Sequence, residues 1–205
     1  MGIRVAIHHK MHYDYDRFIE VSPQVIRLKP APHSRTPIQA YSLKIAPADH
    51  FINWQQDPFG NYLARVVFPN NINHLYIDVE VIAEMIIINP FDFFLDTYAE
   101  KTPFIYEEQI AKELSPYFEI IERDPQVLEL VDQIKTKLNR HTIDCLVEIN
   151  QYISNLIGYT IRLDPGIQTC AETLQKKTGS CRDSAWLLVQ VLRHIGLAAR
   201  FVSGY

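Results

Sequence analysis

Residues 178–205 read TGSCRDSAWLLVQVLRHIGLAARFVSGY, a stretch that sets one cysteine between a glycine and an almost wholly apolar run. Gly179 permits a sharp backbone turn and Ser180 is suited to cap a helix. Cys181 then falls in the first helical turn, where backbone amides without intrahelical partners carry partial positive charge. A thiol in that position ionises more easily, and the thiolate is the nucleophilic form. The following residues leave only Ser184, Gln190, Arg193 and His194 polar after Asp183, which predicts a buried helix. Gly196 suits the left-handed position just past its end, and Leu197 to Tyr205 reads as a strand centred on Phe201 and Val202. The competing interpretation is plain: a cysteine in an apolar segment is more often a small core residue than a nucleophile.

Working upstream, Thr169 and Glu172 have capping-box spacing and predict a short helix through about Lys176, which delivers the chain to Gly179. A longer helix after Thr142 buries Leu146, Ile149, Ile153 and Leu156 and ends near Gly158; Cys145 lies in it as a packing residue. Before it, Asp124 caps a helix with Pro125 in its first turn and Val127, Leu130, Val131, Ile134 and Leu138 at helical spacing. Residues 89–123 form a connecting segment punctuated by Pro90, Pro103 and Pro116, too aromatic for a solvated linker. A helical turn or two between Glu107 and Leu114 fits there, and its aromatic residues read as packing in preference to a ligand surface.

Residues 1–88 alternate at the period of two that marks strands. Ile3, Val5, Ile7, His9, Met11 and Tyr13 share one face, and further strands are expected at 24–29, 38–46, 51–56 and 62–68. The longest alternation runs through Leu75, Ile77, Val79, Val81, Ala83, Met85 and Ile87. Asp57-Pro-Phe-Gly-Asn61 is turn chemistry between two of these runs. The result is an α+β chain with an N-terminal antiparallel β domain, sandwich or barrel-like, over 1–88 and a mainly helical part over 124–205. His8 and His12 project from one strand face and His9 from the other, so the three do not converge on a metal ion.

Composition narrows the partners. The 205 residues are 47% hydrophobic and 21% charged, with a net charge of -4 that gives no electrostatic reason to expect nucleic acid. The three cysteines fit neither a zinc motif nor a disulfide framework, so a reducing cytoplasm is the expected setting. No apolar run has the length of a membrane span, and the N-terminus lacks the core of a signal peptide.

The run Gly179, Ser180, Cys181, Arg182, Asp183, Ser184, Ala185, with Gly166, Thr169, Glu172, Thr173 and Leu174 upstream, resembles the bacterial transglutaminase-like family, whose chemistry is papain-like. One departure is Cys170, where relatives carry proline. The β region resembles the domain that precedes the core in the same family, through its aspartate-turn-Gly-Asn segment. The resemblance implies a cysteine enzyme, either protease or acyltransferase, that forms a thioester at Cys181 and passes the acyl group to water or an amine. Protein or peptide amides would be the substrates, and no cofactor is implied. The family's histidine and aspartate follow the strand that ends near Tyr205, so residues 1–205 are expected to hold the nucleophile without its base and to be inactive alone. His194 is no substitute: thirteen residues along the same helix, at about 1.5 Å each, put it ~20 Å away. Tyr159 reads either as a donor near the thiol or as a packed aromatic. A truncated strand at Phe201 to Tyr205 would leave an edge that favours a homodimer. The rival class is a non-catalytic interaction module that keeps the scaffold.

Overall fold

The alternation of the first residues becomes β1 (Ile3–Ile19), which places Val5, Ile7, His9 and Met11 on its better-buried face. In the computed structural model, which describes residues 2–137 and 141–204, it pairs antiparallel with β6 (Ile72–Met85), and β6 pairs on its other side with β3 (Ile38–Ala46). A second antiparallel sheet has the order β2 (Gln24–Ile26), β5 (Tyr62–Val67), β4 (Phe51–Gln56). Ile26, Ala64 and Val66 from this sheet join Leu75, Ile77, Val79 and Val81 of β6 in one buried cluster, so the two sheets form a sandwich. Each fully buried aliphatic residue of that layer, Val79 for example, contributes about 1.5–3 kcal/mol by leaving water.

The hairpin between β4 and β5 closes as its sequence predicts. The Asp57 carboxylate accepts from the Phe59 and Asn61 N–H groups, both at 2.9 Å, and from Asn61 Nδ2 at 2.8 Å. The Asn61 side chain is the chief cause that holds the Asp57 carboxyl below its ordinary range. Three strands are shorter than expected, β5 by the single residue Phe68. β2 stops at Ile26, where its pairing with β5 ends opposite Ala64. β6 stops at Met85 because its partners end there: Ile3 pairs with Met85 on one side, and Ile38 pairs with Ala83 on the other. Ile87 therefore lies beyond the sheet and is fully exposed. His8 bonds Asp78 across the strands and His12 lies against Tyr76 on the same face, with His9 opposite.

Residues to Asp92 form one compact unit and those from Phe93 a second. In the second unit four aromatic residues of 93–123 pack edge on or tilted, Tyr98 on Phe104, Phe104 on Tyr106 and Tyr106 on Phe118, with centroids 5.8, 4.9 and 5.1 Å apart, whereas Phe93 and Phe94, expected to pack, are exposed. This segment contains α1 (Glu108–Glu113). α2 (Pro125–Lys137) begins where Asp124 Oδ1 accepts the Gln126 N–H, and buries Val127, Leu130, Val131 and Ile134. Leu138, expected on the same face, lies outside the described residues. α3 (Thr142–Leu156) buries Cys145, Ile149 and Ile153. These join Leu187 and Val191 of α5 (Cys181–His194) in the second core.

α5 ends as the glycine predicts. Gly196 takes φ +87°, its N–H reaches Arg193 O at 3.1 Å, and the Leu197 N–H reaches Leu192 O at 3.0 Å, which is a Schellman motif. The strand expected after it does not form within 197–204. The backbone there has other partners: Ala199 donates to Tyr117 O, the Arg193 guanidinium takes Ala199 O, and Ala198 donates to the Tyr106 hydroxyl. Tyr205 lies outside the described residues.

Candidate active site

The approach to Cys181 is a sequence of local stops. Thr169 Oγ1 accepts the Glu172 N–H at 3.1 Å and Glu172 Oε2 accepts the Thr169 N–H at 3.0 Å, so the capping box starts α4 (Cys170–Lys176) as its spacing predicts. Lys177 then ends the helix in the left-handed region, φ +53°. The sharp reversal therefore lies at Lys177, not at Gly179. Gly179 is required for a different reason: a Cβ there would stand 2.9 Å from Asp183 Cβ and 3.3 Å from Gln168 Nε2. The chain passes so close to α5 that only a residue without a side chain fits.

This close passage is also a strand contact. β8 (Thr178–Gly179) pairs in parallel with β7 (Gly158–Tyr159). The Gly158 N–H donates to Lys177 O and the Thr160 N–H to Gly179 O. Tyr159, expected either as a donor or as a packed aromatic, is 73% exposed.

Asp183 holds the start of α5. It is 1% exposed, and its carboxylate accepts from five donors. These are the N–H groups of Gln168 (2.7 Å) and Ser180 (2.8 Å), Ser180 Oγ (2.8 Å), Gln168 Nε2 (3.2 Å) and Arg162 Nε (3.0 Å). Burial alone would raise its pKa, but the hydrogen bonds outweigh it and hold the carboxyl far below the usual carboxylate range. Asp183 therefore does more than stabilise the start of its own helix. The same group pins Ser180 and the 162–168 loop. The Arg182 guanidinium reaches the carbonyls of Arg162 and Asp164.

Against this fixed background Cys181 is the first residue of α5 and is exposed, whereas Cys145 and Cys170 are buried. Burial raises both other thiols; at Cys170 the Glu122 carboxylate adds to it. The rest of α5 has no exposed position. Its two most telling polar residues are buried tethers. Gln190 Oε1 accepts the N–H groups of Ile121 and Glu122, and Arg193 donates to Glu119 O. Glu122 in turn accepts from the Cys170 N–H at the start of α4 and from the Trp186 indole on α5. His194 Nε2 donates to Glu122 O, at the opposite end of α5 from Cys181. Glu122, Arg162, Gln168, Gln190 and Arg193 have no local sequence signal; only the polar interruptions at 190 and 193 in an apolar helix hint at buried roles. Among the described residues, no three His, Cys, Asp or Glu side chains are grouped to hold a metal ion, and no helix is long and apolar enough to cross a membrane.

The chain is thus a β-sandwich followed by a helical unit in which an exposed cysteine opens a buried helix. Residues 129–205 match the family model of the transglutaminase-like superfamily, and residues 5–84 match that of the bacterial transglutaminase-like N-terminal region. The chain thus resembles the transglutaminase-like superfamily in its C-terminal part and the bacterial transglutaminase-like N-terminal region ahead of it. Among solved structures it is similar to one described as a "putative cysteine protease" from Cytophaga hutchinsonii, with a TM-score of 0.66 and 15% identity over 95% of this chain. The chain spans 64% of the length of that protein. No curated protein matches the sequence.

Proposed function

We propose that the chain is part of a cysteine enzyme that acts on amide bonds of proteins or peptides, with Cys181 as its nucleophile. The observation that carries this reading is the contrast at α5: one exposed residue, a thiol, at the start of a helix whose first turn is anchored by a buried carboxylate. The thiolate attacks the amide carbon, the C–N bond breaks, and the amine leaves after taking up a proton, with a thioester left on Cys181. Water or a second amine then attacks the thioester and restores the thiol. The Cys181 backbone N–H, first in its helix and so without an intrahelical carbonyl to bond, is suited to the developing oxyanion. The histidine base and the aspartate that orients it are expected, from the superfamily, on strands beyond Tyr205. Three free thiols fit a reducing compartment, the bacterial cytoplasm by this reading.

Purified residues 1–205 treated with iodoacetamide at pH 7.5 are expected to take up one label, at Cys181, at least about 100-fold faster than at Cys145 or Cys170. The same material is expected to show no Cys181-dependent amide hydrolysis or transamidation. Turnover abolished by Cys181→Ala would require a base within residues 1–205 and would sink that part of the proposal. Labelling of Cys181 no faster than of an unstructured cysteine peptide would favour an interaction module built on the same scaffold.

A further inference from the structure

Arg162 has a place in the fold that its sequence context does not announce. It lies in the 160–168 loop, its side chain is 18% exposed, and its guanidinium is shared among three acceptors. Nε donates to Asp183 Oδ2 at 3.0 Å, one terminal nitrogen to Asp164 Oδ2 at 3.1 Å, and the other to Gly166 O at 3.3 Å. The same loop is held from the other side, because the Arg182 guanidinium bonds the carbonyls of Arg162 and Asp164, and the Thr160 N–H bonds Gly179 O. Residues 160–166 are thus tied to the two segments that flank the thiol, Gly179 before it and Arg182–Asp183 after it.

The electrostatics of this arrangement matter as much as its geometry. Asp183 carries a full negative charge two residues along the chain from Cys181, and negative charge near a thiol disfavours its thiolate. A helix N-terminus supplies only about half an elementary charge of the opposite sign. Arg162 supplies a compensating positive charge in direct contact with the carboxylate, from a side chain that is always protonated.

We propose that Arg162 is a positioning residue for Cys181: it fixes the first turn of α5 against the 160–168 loop and sets a positive charge, shared with Asp164, against the Asp183 carboxylate. The inference rests on the reading of Cys181 as a nucleophile. It assigns the fork geometry to loop placement and the charge to thiolate formation, so the two contributions separate by substitution. Arg162→Gln removes both. Arg162→Lys returns the charge without the fork.

The test is the rate of Cys181 alkylation by iodoacetamide in residues 1–205 at pH 7.5, resolved by peptide mass spectrometry. Labelling of Cys145 and Cys170 in the same samples reports loss of fold. Arg162→Gln is expected to slow Cys181 about tenfold, and Arg162→Lys to recover part of that loss, to within about threefold of wild type. Should Arg162→Gln expose the buried cysteines, Arg162→Lys decides alone: a slower Cys181 with protected Cys145 and Cys170 supports the proposal, and an unchanged rate overturns it. In a folded Arg162→Gln protein, a wild-type rate overturns it, as does an Arg162→Lys rate no faster than that of Arg162→Gln. Failure of the nucleophile reading looks different, since it would show in wild type as a Cys181 no more reactive than a free cysteine peptide.

Discussion

Asp183→Ala is expected to destabilise the second unit by about 3–5 kcal/mol, the range for removing one partner of a buried ion pair. The cost comes from what is left behind. The N–H groups of Gln168 and Ser180 and the Arg162 guanidinium all lose an acceptor in a site with little water to replace it. The two tryptophans make the measurement clean, because Trp54 lies in the first unit and Trp186 in the second. In a Trp54→Phe background, urea unfolding followed by Trp186 fluorescence reports the second unit. A loss below about 1 kcal/mol would mean that the five hydrogen bonds are replaceable and the anchor is not what holds the helix start.

The same group fixes a pH dependence. Its folded pKa lies below the unfolded value, so its contribution is present above the unfolded pKa, near 4, and disappears as pH falls through the folded pKa. The stability gap between wild type and Asp183→Asn should therefore be level from about pH 7 to 5 and narrow below about pH 4. A gap that stays level to about pH 3 would contradict the depressed carboxyl.

Gly179→Val is expected to cost about 3 kcal/mol in the same assay, and Gly179→Ala about half of that. The atom met by the new side chain is Asp183 Cβ, 2.9 Å away, which is fixed to the helix backbone and cannot swing aside. Either the β7–β8 contact opens or the first turn of α5 shifts, and both move Cys181. Slower Cys181 labelling should accompany the lost stability. Retention of wild-type stability by Gly179→Ala would mean that this passage is looser than the structure describes.

What could be read from sequence here was local. Alternation in β1, β3 and β6, the Asp57 turn, the Thr169–Glu172 box, Ser180 before Cys181 and Gly196 after α5 each depend on neighbours within a few residues, and each is found in place. Gly179 was legible as a position that demands glycine, but its reason was not, because the demand comes from Asp183 and Gln168. The expected strand after Gly196 shows the same limit. Phe201 and Val202 have strand composition, yet composition cannot say which groups will take the backbone of 198 and 199, and here Tyr106, Tyr117 and Arg193 do. Arg162, Gln190 and Glu122 bond across 21, 68–69 and 48–64 residues of chain, beyond any periodicity. Single-sequence patterns reveal which face is apolar and leave the identity of its polar neighbours open.

The helix carrying the thiol is fastened at both ends, by Asp183 at its start and by the Gly196 turn at its finish, with Gln190 and Arg193 bolted to residues 119–122 between. Cys181 has little freedom beyond rotation about its own Cα–Cβ bond. For a chemist building electrophilic probes, that makes it a stationary target. Reach and angle of the warhead, rather than its intrinsic reactivity, should rank a series of compounds, because the sulfur will not travel to meet them.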